Sequence, residues 1–177
     1  MQPSVRDQIL EIAESRVRIG GYDYFSFREI AKEIGIKSAS VHYHFSTKAD
    51  LGAAIAEKYR IDFLKKLGSP KALMDSHENP IKHYQQAFRN SLAQEKKMCL
   101  CGLLGAEIAS LPPQVVDETK KFFEENMLWL TEAFQVAEDM SEVIAKKRAL
   151  REIALLEGGM ILARVFDEVS IFDDILA

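Results

Sequence analysis

Cysteine is nearly missing. Cys99 and Cys101 are the only two among 177 residues, too few for a disulfide framework, and such a chain suits a reducing compartment. A Cys-X-Cys pair cannot complete a tetrahedral zinc site, and the nearest histidines in sequence, His77 and His83, are remote, so no metal is expected. No apolar run approaches the roughly 18–20 residues that cross a bilayer, which excludes a membrane partner. The start, Met1-Gln2-Pro3-Ser4-Val5-Arg6-Asp7, has no basic cluster followed by an apolar stretch. No signal peptide is therefore expected, and the cytoplasm is the expected location. Phosphate loop, nucleophile elbow, HExxH and glycine fingerprint are all missing, so neither an enzyme nor a cofactor is expected.

A basic excess is missing as well. Lys+Arg 23 against Asp+Glu 27 gives a net charge of −4, which on its own argues against a nucleic-acid partner. The charge is unevenly spread, however. Residues 1–66 hold 11 basic and 9 acidic side chains, a net of +2, whereas residues 67–177 hold 12 and 18, a net of −6. Within 26–48, Arg28, Lys32, Lys37 and Lys48 outnumber Glu29 and Glu33. The acidity belongs to the C-terminal two-thirds, and a DNA-facing N-terminus is permitted.

Strand signals are scarce and helical periodicity is nearly continuous, so an all-α fold is predicted. Val5, Ile9, Ile12 and Ala13 mark a first helix that stops near Gly20-Gly21. Ser26-Phe27-Arg28-Glu29 has the form of a capping box opening a second, with Ile30, Ala31 and Ile34 inward and Gly35 as its stop. A very short third helix runs from Ser38 to about Phe45. A fourth, from Lys48, carries Leu51, Ile55, Tyr59, Phe63 and Leu67 and ends at Gly68-Ser69-Pro70. The stretch 68–80 is the one plausible boundary. Helical segments at 81–95, 98–110, 114–138 and 142–167 follow, and the tail adds a last turn, about nine helices in all.

The segment 26–48, SFREIAKEIGIKSASVHYHFSTK, has the spacing of a helix-turn-helix around Gly35-Ile36-Lys37. In that motif the second helix lies in the major groove with its N-terminal residues at base edges. Ser38, Ala39 and Ser40 are small enough for close approach. A serine hydroxyl bonds base or phosphate, and an alanine methyl meets a thymine methyl. His42, Tyr43 and His44 offer donors and flat faces, Lys48 a cation for phosphate, while Val41 and Phe45 point inward.

Taken together, Ile9, the Gly20-Gly21 turn, Ser26 to Ala31, Gly35-Ile36, Ser40 to Phe45, Lys48 and Leu51 resemble the DNA-binding domain of TetR-family transcriptional repressors. The match covers roughly residues 5–60. The family's usual Leu/Val-Tyr-X-His/Tyr-Phe run stands here as Val41-His42-Tyr43-His44-Phe45, with histidine at 42 where tyrosine is most common. The resemblance implies an N-terminal helix-turn-helix domain over 1–48, a connecting helix over 49–67 and a ligand-binding and dimerisation domain over 68–177. It implies a homodimeric repressor on a palindromic double-stranded operator, released by an unknown small-molecule effector. Carried over by position, Arg28, Ser38, Ala39, Ser40 and His42 become base or near-base contacts. Lys37, Tyr43, His44 and Lys48 become backbone contacts.

In the C-terminal part, Met98 to Glu107 resembles the Gly-Cys-Leu-type start of the sixth helix of many members. Glu107 is ionisable in an apolar stretch and costly to bury unpaired. Glu107 or a thiol of Cys99 or Cys101 could face a pocket walled by Tyr84, Phe88, Phe123, Met127 and Trp129; these aromatics equally fit ordinary core at helical spacing. Lowered thiol pKa values would make the cysteines redox or electrophile sensors, and inert burial is the other reading. A protein-binding all-α module is a further alternative. Gly158-Gly159 inside a helix costs roughly 1 kcal/mol per glycine relative to alanine, which close approach of another helix would offset. Gly158, Gly159, Ile161 and Ala163 are therefore the expected dimer interface.

Overall fold

The computed structural model describes residues 3–177; Met1 and Gln2, on which part of the leader reading rests, lie outside the described residues. Among the described residues all regular structure is helical. The helices are α1 (Val5–Gly20), α2 (Phe27–Ile34), α3 (Ser38–His44), α4 (Lys48–Leu67), α5 (Pro70–Asp75), α6 (Pro80–Ala93), α7 (Leu100–Ala106), α8 (Pro113–Glu138), α9 (Glu142–Val165) and α10 (Ser170–Leu176). Single 3-10 turns lie at Tyr22–Tyr24 and Ile108–Ser110. The chain divides into two compact units, one of residues 1–61 with 100–122, the other of 62–99 with 123–177.

In the first unit the helix ends follow from side-chain chemistry. Ser4 and Asp7 form a reciprocal capping box on α1: the Asp7 amide donates to Ser4 Oγ at 3.1 Å, and the Ser4 amide to Asp7 Oδ2 at 3.3 Å. Thr47 and Asp50 do the same for α4, each amide donating at 3.0 Å. The expected box at Ser26 is only half formed. Ser26 Oγ accepts from the Glu29 amide at 3.3 Å, but the return contact runs from the hydroxyl to Glu29 Oε2 at 2.9 Å. Glu29 instead faces Arg16, which also pairs with Glu33 at 2.8 Å and ties α1 to α2. Gly35 ends α2 in the left-handed conformation, φ 81° and ψ 28°. Ile9, Ala13, Val17, Ile30, Val41, Leu51 and Ile55 are buried. Each large aliphatic buried this way contributes roughly 1.5–3 kcal/mol.

In the second unit, the stretch predicted as a bare boundary contains α5, started by Pro70 at its first position and by Ser69 Oγ accepting the Ala72 amide at 3.1 Å. Asn79 Oδ1 caps α6 through the Ile81 and Lys82 amides at 2.9 and 3.0 Å. The expected tail turn is α10. Its Phe172 is fully buried and lies where a side chain at Gly159 would go, 3.0 Å from the position of a Cβ. Arg89 on α6 grips Asp173 on α10 with two hydrogen bonds, at 2.6 and 2.8 Å.

Candidate nucleic-acid interface

The short helix α3 is pinned by few contacts and shows the rest of its surface. Val41 and Phe45 are buried as predicted by their spacing. Lys37, Ser38, Ala39, His42 and Tyr43 are exposed, Tyr43 by 85%, and Ser40, His44 and Lys48 are partly so. Arg28 is exposed on α2. Tyr43 is thus no packed aromatic; a phenol this open is stabilised by little in its own chain. His42 stacks edge-on against Phe27 with ring centres 4.7 Å apart, and Tyr43 against His44 at 5.2 Å. The histidine at 42 is therefore held by α2, the bracing helix. No side chain caps the N-terminus of α3, where Lys37 stands in extended conformation. Its first backbone N–H groups have no partner within the helix, as at any helix start.

Lys48 is more restrained than a phosphate-seeking cation needs to be. Its Nζ lies 2.9 Å from Asp23 Oδ1 and sits over the rings of Tyr22 and Phe25, 4.7 and 4.9 Å from their centres. Those two rings meet edge to face at 5.7 Å. Asp23, Tyr22 and Phe25 are the residues that sequence reasoning missed: the 3-10 turn Tyr22–Tyr24 carries no periodic signal, and its role appears only when the turn folds against the start of α4. Tyr22 is buried, with its hydroxyl making no hydrogen bond, and burial pushes its pKa up to about 12.

Glu107 falls outside the unit that holds Tyr84, Phe88, Phe123, Met127 and Trp129. It belongs to the first unit, where its Oε2 accepts the Tyr22 amide at 2.8 Å. The half-buried carboxylate thus has a backbone donor within its own unit. Cys101 lies in the same unit and is buried; Cys99 is buried in the other and precedes α7 instead of lying on it. Both are thiols outside any disulfide.

In the second unit Tyr84, Phe88 and Trp129 do come together. Tyr84 stacks on Phe88 at 5.3 Å and lies 5.4 Å from Trp129 between ring centres, and Phe63 meets both Tyr84 and Phe88 edge-on. The polar ends are satisfied within the chain: Tyr84 Oη donates to Asn126 Oδ1 at 2.8 Å, and Trp129 Nε1 to the Gly68 carbonyl at 2.7 Å. Phe123 and Met127 are half-buried on α8. A cavity of about 150 Å³ lies apart from these rings, between the ends of α6 and α9, with Leu92, Met98, Lys96, Lys97, Ala163 and Arg164 among its walls. The expected interface residues separate by face. Gly159 and Ala163 are buried, Gly159 against Phe172 of the same chain, so its close approach is already taken. Gly158 has open space beyond its Cα and Ile161 is 51% exposed.

The sequence profile described as bacterial regulatory proteins, tetR family, matches residues 9–55, the segment that forms α1 to α3 and the start of α4. The chain is similar to a TetR transcriptional regulator from Legionella pneumophila, with 31% identity and a TM-score of 0.84 over 98% of this chain and 94% of that one. A TetR-family transcriptional regulator from Agrobacterium tumefaciens aligns at 27% identity and a TM-score of 0.81, over 97% and 93% of the two chains. Regulatory protein TetR from Rhodobacter sphaeroides shares the fold at 20% identity, with a TM-score of 0.84 over 97% and 94%. No curated protein matches. The all-helical fold, the helix-turn-helix at its N-terminus and a relative similar along nearly its whole length lead to one conclusion: the chain belongs to the TetR family of transcriptional regulators.

Proposed function

We propose that this protein is a ligand-responsive repressor that binds a palindromic operator as a homodimer. The observation that carries the reading is the face of α3: small residues at 38–40 and exposed His42 and Tyr43, on a helix held by buried Val41 and Phe45. Ser38, Ala39, Ser40 and His42, with Arg28, read bases in the major groove. Lys37, Tyr43, His44 and Lys48 contact the phosphate backbone. Residues 1–48 act as the reading head, 49–67 as the connecting helix and 68–177 as the sensing and pairing part.

Dimerisation is supported by α9. One side of it is buried through Ala145, Ala149, Leu156 and Met160, yet Leu155, Ile161, Leu162 and Val165 on the other side are exposed. A helix apolar on both sides needs a second partner. An effector bound in the second unit weakens operator binding, a coupling of about 1–3 kcal/mol being enough for a roughly 5–150-fold change. Burial of both cysteines supports inert thiols over a redox sensor.

The test is selection of duplexes from a random library, followed by binding of the winner over a range of salt concentrations. The expected result is a palindromic site whose affinity falls steeply with salt. Lys48→Ala should weaken binding about tenfold and flatten the salt slope by about one phosphate per subunit. Enrichment of no duplex would favour a protein-binding module.

A further inference from the structure

The contact at Glu107 joins two parts of the first unit that lie 85 residues apart in sequence. Glu107 follows the last residue of α7 and opens the 3-10 turn Ile108–Ser110. Its carboxylate reaches the turn that leaves α1, where the Tyr22 amide donates to Oε2 at 2.8 Å. The geometry of that turn is built around the carboxylate. Gly21 has φ 87° and ψ −177°, a conformation for glycine alone, and a Cβ at this position would collide with Glu107 Oε1. The Gly21 amide is used to close α1 on the Val17 carbonyl at 2.8 Å, and the Gly21 carbonyl accepts from Tyr24 at 3.1 Å. The Tyr22 amide is thus the one backbone donor of the Gly21–Tyr22 pair left for a side chain, and Glu107 takes it.

What the turn carries is the support of Lys48. The Tyr22 ring lies under Lys48 Nζ, and the next residue, Asp23, provides its carboxylate partner. The same ring fills the space over Gly52, where a Cβ would meet Tyr22 Cε2 at 2.6 Å, so it is fitted to the first turns of α4. Rings and carboxylate together set where the ammonium stands.

We propose that Glu107 is a positioning residue for DNA binding, fixing the Gly21–Tyr22 turn so that Tyr22 and Asp23 hold Lys48 in the place from which it meets phosphate. Glu107 itself does not touch DNA. This inference rests on the repressor reading, and its test is arranged so that the two fail differently.

The duplex enriched by the wild-type protein is bound by Glu107→Ala, Glu107→Asp, Glu107→Gln, Lys48→Ala and the double variant Glu107→Ala/Lys48→Ala, each over a range of salt concentrations. Glu107→Ala should bind about tenfold more weakly and lose from its salt slope the same amount as Lys48→Ala, about one phosphate contact per subunit. Glu107→Asp keeps the charge but is one methylene short and should behave like alanine. Glu107→Gln keeps an acceptor for the Tyr22 amide and should restore affinity to within about threefold. The double variant should bind no more weakly than Lys48→Ala, because both changes remove one contact. A general loss of stability would leave the salt slope unchanged and would make the two losses add, and either result overturns the inference. So does a Glu107→Gln variant as weak as alanine. If Glu107→Ala does not fold, the aspartate and glutamine variants carry the same comparison. Failure of the wild type to enrich any duplex instead brings down the repressor reading, and this inference with it.

Discussion

The two units differ in how they show apolar surface. In the first, the exposed large apolar side chains (Val5, Ile19, Tyr24, Tyr43, Ile61 and Ile108) are scattered over several elements. In the second they concentrate on α9 and the residue that ends it: Val143, Ile144, Leu150, Leu155, Ile161, Leu162, Val165 and Phe166. Scattered apolar groups are ordinary on a protein surface, whereas many gathered on one helix suit a partner. Charge is also uneven: the first unit holds 11 basic and 11 acidic side chains, the second 12 and 16. The N-terminal third is mildly basic and the remainder acidic. On the proposed reading, the reading head works by a few placed polar groups and the other unit by area.

The largest expected effect is on the second side of this contrast. Ile161→Glu puts a charge into the α9 row at a position already half open, so the protomer should fold normally. Light scattering at micromolar concentration should show monomer in place of dimer. Operator affinity should drop by roughly a hundredfold or more, since one head alone loses the gain of paired half-sites. A dimer of unchanged affinity would break the comparison.

A middling effect concerns Glu157 on α9. Its Oε1 is sealed from solvent without a hydrogen bond, the Cys99 thiol bonds the carboxyl, and burial raises its pKa to about 7. The unfolded chain ionises near the ordinary glutamate value while the folded one stays protonated. Stability from this group is therefore greatest below about pH 4.5 and falls as pH rises to about 7. Glu157→Gln should abolish that fall and leave the variant more stable at pH 8, by on the order of 3 kcal/mol. Thermal unfolding of both proteins between pH 4 and 8 reads the difference; parallel profiles would refute it.

The smallest effect separates the paired glycines. Gly158 has no atom near its missing Cβ, so Gly158→Ala should gain about 1 kcal/mol of helix stability and raise Tm by a few degrees. Gly159→Ala would press on Phe172 and should gain nothing. If Gly158→Ala dissociates the dimer instead, the close approach that glycine permits belongs to the partner.

Helix limits were the most legible feature, because capping residues, glycine stops and apolar spacing are local. The ends of α1 and α4 fall where Gly20-Gly21 and Gly68-Ser69-Pro70 put them. The face of α3 was legible for the same reason, since Val41 and Phe45 at helical spacing leave 38–40 and 42–44 outside. Pairings between distant residues were not. Nothing near Glu107 in sequence names the Tyr22 amide as its partner, and nothing near Lys48 names Asp23. The α5 helix hid behind Pro70 and Asn79, which start helices as readily as they interrupt them. Gly158-Gly159 was read as one packing device, but successive helical residues point about 100° apart, so only the second meets α10.

The fit between Gly21 and Glu107 also ties two distant positions in the inheritance of this sequence. A side chain at 21 and the carboxylate at 107 compete for one volume, so any substitution at the glycine evicts the glutamate as well as straining the backbone. A shorter residue at 107 would free that volume, yet any side chain at 21 would still sit on a strained backbone. In a random mutant library, losses at these two places would form one phenotypic class, and a second change at the other site would add little to either.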